Sequence, residues 1–382
     1  MAPRRPKGAG ASPKKADRNS DGNIAVETPA RKPSQSGPLY AALDLGTNSC
    51  RMLIARPEGN QFKVVDSFSK TVQLGAGLET SGKLSRASIR RTIQALRVCA
   101  QKLKRNKVKR MRLVATEACR RASNGAAFLR QIKNETGLTL EVIDPQQEAQ
   151  LAVVSCAPLV GKKTEQLLVV DIGGGSTELV WIDLKDVPKQ ERARAIMRMH
   201  GGFPDCSAAN EPTAKVVDWI SVPLGVATLR DQYVDVEDDA AQFALMSWYF
   251  EENLAEFAPY KEVPSRDGFQ VVGTSGTVTT VAASHLGLKR YDRTKVDGLR
   301  MSSEEIDKVI QTYLEMGPEG RRQDPRIGQD RQALIMSGAA ILQALLRCWP
   351  TDRLSVADRG LREGILYAQM AADGVLEDGE GC

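Results

Sequence analysis

The stretch "LVVDIGGGSTELVW", Leu168 to Trp181, sets the architecture of the chain. Two apolar runs rich in β-branched residues flank three consecutive glycines, and each run has the composition of a strand. Glycine within a strand loses packing and backbone order, so such a run marks a turn or the close approach of something bulky. Asp171 closes the first strand and Ser176 opens the second. A hairpin with a bare backbone at its tip is predicted.

A similar passage stands earlier. "LYAALDLG", Leu39–Gly46, leads through Asp44 into a turn carrying Thr47, Asn48 and Ser49, and "CRMLIARP" and "FKVVDSFSKTVQLG" follow as two more strands. "SRASIRRTIQALRVCAQKLKR" places Ile89, Ile93, Leu96, Ala100 and Leu103 at helical spacing, with Ser85 as N-cap. A strand over "RMRLVAT", a helix over Glu117–Thr136, a strand over "LTLEVID" and a helix over "QQEAQLAVVSCA" complete the order βββαβαβα.

The second half opens the same way with "LLVVDIGG", "STELVWIDL", "DWISVPLG" and "FQVVGTSG". Short pieces coincide in unchanged order: "DLGTNS" with "DIGGGS", "TVQLG" with "SVPLG", "VATEACRRA" with "VGTSGTVTT". A duplicated unit of this size implies two like α/β lobes, 38–160 and 161–382, with a cleft between them.

Composition excludes other classes. The chain has 382 residues, 42% hydrophobic and 26% charged, ordinary values for a soluble protein, and no apolar run approaches the ~20 residues that span a bilayer. Residues 1–37 hold eight Lys/Arg against three Asp/Glu, +5 of the formal +6 of the chain. They read as a disordered basic tail without a secretory signal. The rest is nearly neutral, so no specific nucleic-acid binding is expected of the fold. Seven cysteines without a C-x-x-C pair read as reduced thiols of a cytoplasmic protein, and two histidines leave little for a Cys/His metal cage or a Ser-His-Asp triad.

Each hairpin pairs an aspartate with a glycine turn and a hydroxyl residue. Converging backbone N–H groups make such a turn a phosphate cradle, helped by donors from Thr47, Asn48, Ser49 and Ser176. A neighbouring carboxylate repels phosphate unless a cation lies between, so Asp44 and Asp171 point to Mg²⁺.

"ALDLGTNSCRMLIA", "ATEACRRA", "QQEAQL", "VVDIGGGSTELV", "SVPLGVATLRD", "VVGTSGTVTTVAA" and "VADRGLREGIL" together resemble the exopolyphosphatase / guanosine pentaphosphate phosphohydrolase family, in family order. The resemblance implies duplicated actin-like (ribonuclease H-like) lobes and Mg²⁺-dependent hydrolysis of the terminal phosphoanhydride of inorganic polyphosphate. Guanosine pentaphosphate in the same cleft is the alternative substrate, and a sensor without turnover is the alternative class. It further implies Glu148 as catalytic base, Glu178 as a second acidic residue near the water, and Asp171 as the carboxylate at the metal. Asn48, Ser49, Arg51 and Arg120 resemble phosphate contacts, as do Gly173, Gly174, Gly175 and Ser176. Residues Gly273, Thr274, Ser275, Gly276 and Thr277 match the loop of the other repeat. A homodimer is the family's usual form.

Some features depart from the family pattern. Gln73 replaces a common arginine, Ser275 replaces a usual glycine, and an insertion spans 184–218. The histidines needed by a C-terminal domain of the HD type are absent, which resembles the short two-domain form. "KLKRNKVKRMR", Lys102–Arg112, reads as a solvated helix end, with a track for a polyanion as the alternative.

Overall fold

A computed structural model describes residues 37–203, 213–261, 267–328 and 331–376. The tail expected over 1–37 and part of the 184–218 insertion lie outside the described residues, apart from Gly37. From Pro38 onward the chain forms one unit holding two mixed sheets.

The first sheet contains β1 (Tyr40–Leu45), β2 (Ser49–Glu58), β3 (Gln61–Thr71), β4 (Arg110–Ala115) and β5 (Glu141–Val142), in the order β3-β2-β1-β4-β5. The second contains β6 (Gln166–Ile172), β7 (Thr177–Asp183), β8 (Lys215–Val222), β9 (Phe269–Thr274), β10 (Arg300–Met301) and β11 (Leu354–Ala357), in the order β10-β11-β9-β6-β7-β8. In both, the central strand pairs antiparallel with the next strand and parallel with the fourth of its lobe. The duplication read in the sequence is therefore a duplication of topology. Register aligns Asp44 with Arg51 across the first hairpin and Asp171 with Glu178 across the second.

Helices in chain order are α1 (Leu78–Ser81), α2 (Arg86–Arg105), α3 (Glu117–Arg121), α4 (Gly125–Thr136), α5 (Pro145–Cys156), α6 (Arg192–Arg198), α7 (Val226–Gln232), α8 (Asp239–Glu252), α9 (Gly276–His285), α10 (Arg293–Val296), α11 (Ser303–Gln323), α12 (Ile335–Cys348) and α13 (Leu361–Ala372). The α2 helix starts where expected, the Ser88 amide donating to Ser85 Oγ at 3.1 Å. The single helix expected over Glu117–Thr136 is two. Its break packs Gly125 against the Cys119 carbonyl, and Asn124 bonds both backbone groups of Leu84 at 2.9 and 3.0 Å. No helix among the described residues is long and apolar enough to cross a membrane.

The α5 helix is buried on two sides. Asp144 caps it, accepting from the Gln147 amide at 2.8 Å, with Pro145 in the first turn. Ala149, Val153, Val154 and Cys156 pack with Leu167, Val169 and Val180 of the second sheet, while Leu151 packs with Tyr40, Ala42 and Val114 of the first. Past its first turn, a helix between two sheets has little solvent face, so its sequence shows no clean amphipathic stripe. Alongside it lies α13, with Gly364 against the Leu151 carbonyl and Leu361, Ile365, Leu366 and Met370 on the first sheet. Residues assigned by sequence to the second lobe thus complete the core of the first.

Candidate active site

Both aspartates stand at the carboxyl ends of central strands, and the turns that follow share one hydrogen bond. The Gly46 amide donates to the Ser49 carbonyl at 3.0 Å, and the Gly173 amide to the Ser176 carbonyl at 2.9 Å. The remaining turn carbonyls are held from behind. In the first turn Thr47 O accepts from Gly75 N, and Asn48 O from Val72 N and Gln73 N, all at 2.9 Å. In the second, Gly173 O accepts from Val226 N at 3.0 Å and Gly174 O from Ala227 N at 2.8 Å. A trans peptide points its N–H opposite to its carbonyl, so the amides of Asn48, Gly174 and Gly175 point away from the segments behind.

This buttressing explains a repeat that sequence could only count. "TVQLG" and "SVPLG" run directly behind their turns, and a Cβ on Gly225 would sit 2.5 Å from Gly174 C and Gly175 N, while one on Gly75 would overlap Thr47. The glycine run has a second use as well. A Cβ on Gly174 would lie 3.2 Å from Asn48 N and Thr47 Cβ, and one on Gly175 2.6 Å from Thr47 Oγ1 and 2.9 Å from Glu117 Cγ. The bare backbone lets the second turn nest against the first.

The hairpins open on one cavity of about 180 Å³. Asp44, Thr47, Asn48, Ser49 and Arg51 line it from the first lobe, and Asp171, Gly173, Gly174, Gly175 and Ser176 from the second. Glu148, in the first turn of α5, faces it from between the sheets. Thr274, Ser275, Gly276 and Thr277 add the start of α9, where Ser275 Oγ accepts from the Val278 amide at 3.1 Å. Three residues named from the sequence are not in the wall. Gly273 lies in β9 with its Cα turned to Val278. Glu178, 2% exposed, lies behind Ser176 and accepts at Oε1 from Ser176 Oγ at 2.6 Å and Ser221 Oγ at 2.9 Å. Arg120 is occupied by carboxylates, donating to Glu148 Oε2 at 3.0 Å and to Glu117 Oε2 at 2.7 Å.

The wall also holds residues that are not among those named from the sequence: Glu117, Arg331, Asp358, Arg359 and Arg362. Arg331 donates to the Gly276 carbonyl at 2.7 Å and bonds Thr280. Arg359 forms a paired contact with Asp297, the closest at 2.7 Å. "VADRGLREGIL" carries Arg362 in the sequence, among apolar residues that pack on the first sheet. The basic run Lys102–Arg112 lies elsewhere, since Arg110 pairs with Tyr40 at the end of the sheet opposite Asp44. Lys102 and Arg105 there hold Asp66 at 2.6 and 3.0 Å.

Crowding of buried acids sets the electrostatics. Burial pushes Asp171 up to about 7, with Glu148 and Asp44 adding to the shift. Burial and then Asp171 push Glu178 up to about 7, against the two serine hydroxyls. Glu148 is held well above the usual range by burial and then by Glu178, against the pull of Arg120. Asp44 rises through burial, with Arg51 and Arg362 opposing it. Buried like charges are costly unless a cation offsets them. Thr47 Oγ1, buried in the same wall, has no hydrogen-bond partner among the described residues. The arrangement can therefore take an anion at the turn amides and a cation at the aspartates.

Comparison with known proteins gives the family. Residues 53–372 match the family model described as the Ppx/GppA phosphatase family. A guanosine-5'-triphosphate,3'-diphosphate pyrophosphatase of Aeromonas hydrophila is 27% identical over 87% of this chain, which spans only 59% of that relative's length. The crystal structure of the Aquifex aeolicus Ppx/GppA family member superposes with a TM-score of 0.68 at 29% identity, covering 88% of this chain and 98% of that one. An exopolyphosphatase from Cytophaga hutchinsonii, 23% identical, shares the fold with a TM-score of 0.72 over 88% of this chain and 98% of its own. With its two actin-like α/β lobes, the chain belongs to the Ppx/GppA phosphatase family.

Proposed function

We propose that the cleft hydrolyses the terminal phosphoanhydride of inorganic polyphosphate, adding one water and releasing orthophosphate and a chain one unit shorter. The observation that carries this reading is the meeting of both glycine turns and Glu148 in one cavity. Phosphoryl transfer asks mainly for positioning and charge stabilisation, which this wall is equipped to supply. Amides of Asn48, Gly174 and Gly175, with the hydroxyls of Thr47, Ser49 and Ser176, hold the terminal phosphate. Arg51, Arg331 and Arg362 offset the charge of the chain. Glu148 takes a proton from the attacking water, an effect typically worth ~10²–10⁴-fold. Glu178 acts through the serine it orients.

Asp44 and Asp171 fit Mg²⁺, which would neutralise the phosphate oxygens. Among the described residues no three His, Cys, Asp or Glu side chains form a metal cage by themselves. An Mg²⁺ held by one or two carboxylates usually takes its other ligands from water and substrate oxygens.

Guanosine pentaphosphate is the second reading, favoured by the name of the Aeromonas relative. Tyr291, exposed and hydrogen-bonded to Asp358 and Thr279 of the wall, is the aromatic side chain nearest to hand for stacking on a base. Phosphate release from polyphosphate, guanosine pentaphosphate and ATP, with and without Mg²⁺, separates the substrates. Glu148→Gln is expected to lower kcat by about two orders of magnitude or more. Unchanged turnover in that variant removes the base, and no release from any substrate leaves a sensor.

A further inference from the structure

Arg120 resembles a phosphate contact by its place in "ATEACRRA", but its hydrogen bonds go to acceptors of the protein itself. One terminal nitrogen donates to the Ile143 carbonyl at 2.7 Å and to Glu148 Oε2 at 3.0 Å. Nε and the other terminal nitrogen donate to Glu117 Oε2 at 3.3 and 2.7 Å. Of the five N–H bonds a guanidinium carries, four are thereby committed within the protein. Glu117 and Glu148 form the cavity wall, and the Arg120 side chain behind them is 16% exposed.

The pairing continues outward. Glu117 also meets Arg121 at 3.7 Å, and Arg121 holds Glu79 at 2.5 and 2.9 Å. Charges alternate along Glu148, Arg120, Glu117, Arg121 and Glu79, tying α5 to α3 and α1. One N–H bond is left for a phosphate oxygen, and any closer or paired grip on phosphate would displace a carboxylate from a charge-assisted bond in a largely buried site, which is unfavourable.

We propose that Arg120 is a positioning residue: it holds Glu148 by Oε2 so that the carboxylate is aimed at the water, and it does not bind the phosphate chain. This rests on the reading of Glu148 as the base. A planar fork that grips two carboxylates and a carbonyl fixes a side chain more tightly than a single charge does. Misplacement of a catalytic group by about 1 Å can cost ~10²-fold in rate.

The test uses the full chain with Mg²⁺, tripolyphosphate as substrate, and its non-hydrolysable imido analogue as ligand in calorimetry. Arg120→Gln is expected to lower kcat about 10- to 100-fold while KM and the analogue's Kd stay within about threefold. Arg120→Lys, which keeps the charge, should recover part of that loss, and melting temperatures confirm that both variants are folded. A Kd weakened about tenfold or more, with saturated turnover retained, overturns the proposal and makes Arg120 a phosphate contact. Absence of turnover in the unsubstituted protein is a separate result: it removes the proposed reaction, and with it the base that Arg120 serves.

Discussion

The two hairpins are alike in backbone and different in charge: the facing pair is balanced in the first and acidic in the second. Each has an aspartate at the end of its central strand, the same amide-to-carbonyl bond across the turn, and a glycine-bearing segment behind it. The residue facing the aspartate differs: Arg51 in the first hairpin, Glu178 in the second. Burial raises both aspartates; at Asp44 the next influence is the opposing Arg51, whereas at Asp171 Glu148 and Asp44 add to burial and carry it to about 7, with Arg51 opposing last. The turns differ as well. Side chains at Thr47 and Asn48 fill the space that Gly174 and Gly175 leave open. A duplicated scaffold thus supplies matching cradles, and the divergence between its copies sets a charge-balanced hairpin against an acidic side.

If nesting of unlike turns is what makes the site, glycines in corresponding turns should differ sharply in tolerance. Gly175→Val drives a side chain into Thr47 and Glu117, and kcat/KM for polyphosphate should fall about 10²-fold or more. Gly46→Ala meets nothing closer than the Ser49 carbonyl at 3.7 Å and should stay within about threefold of the unsubstituted protein. Equal losses in phosphate release would break the comparison.

A smaller effect concerns stability. Asp171 has a folded-state pKa near 7 against an ordinary carboxylate value, so between about pH 4 and 7 the folded chain binds more protons than the unfolded one. Stability therefore falls as pH rises through that window. Asp171→Asn removes the penalty, and in EDTA it should unfold later than the parent at pH 8, by on the order of 2 kcal/mol, with no such gain below about pH 4. A destabilised variant at pH 8 would show that the acidic side carries no strain.

Asp66, on β3 away from the cleft, has the opposite sign and the smallest effect. Its bond from Lys102 holds it below the usual range, so its contribution is present above about pH 4 and lost as pH falls through the lowered value. Solvent screening limits it: Asp66→Asn should cost less than about 1 kcal/mol in denaturant unfolding at pH 7, and nothing in strong acid. A larger loss at neutral pH would mean that the basic run around it shapes the first lobe.

Much of the frame was legible because its signals are short-range. Alternation and β-branching marked β1, β2, β6 and β7, and the helical spacing from Ile89 to Leu103 with the Ser85 cap marked α2 nearly to the residue. Where partners are distant in sequence, reading failed or ran short. The α3–α4 break depends on Leu84, the two-sided burial of α5 hides its period, and α13 returns to a sheet begun some three hundred residues earlier.

The chain by itself determined that two glycine hairpins exist, that they belong to repeated units, and that carboxylates and hydroxyls accompany them, since residue order suffices for each. Tertiary structure alone decided that Arg362 faces the cleft, that Glu178 stands behind a serine, and that Arg120 is spent on acids. The reason is physical: facing, burial and charge coupling depend on distance through space, and the elements that set those distances are far apart along the chain.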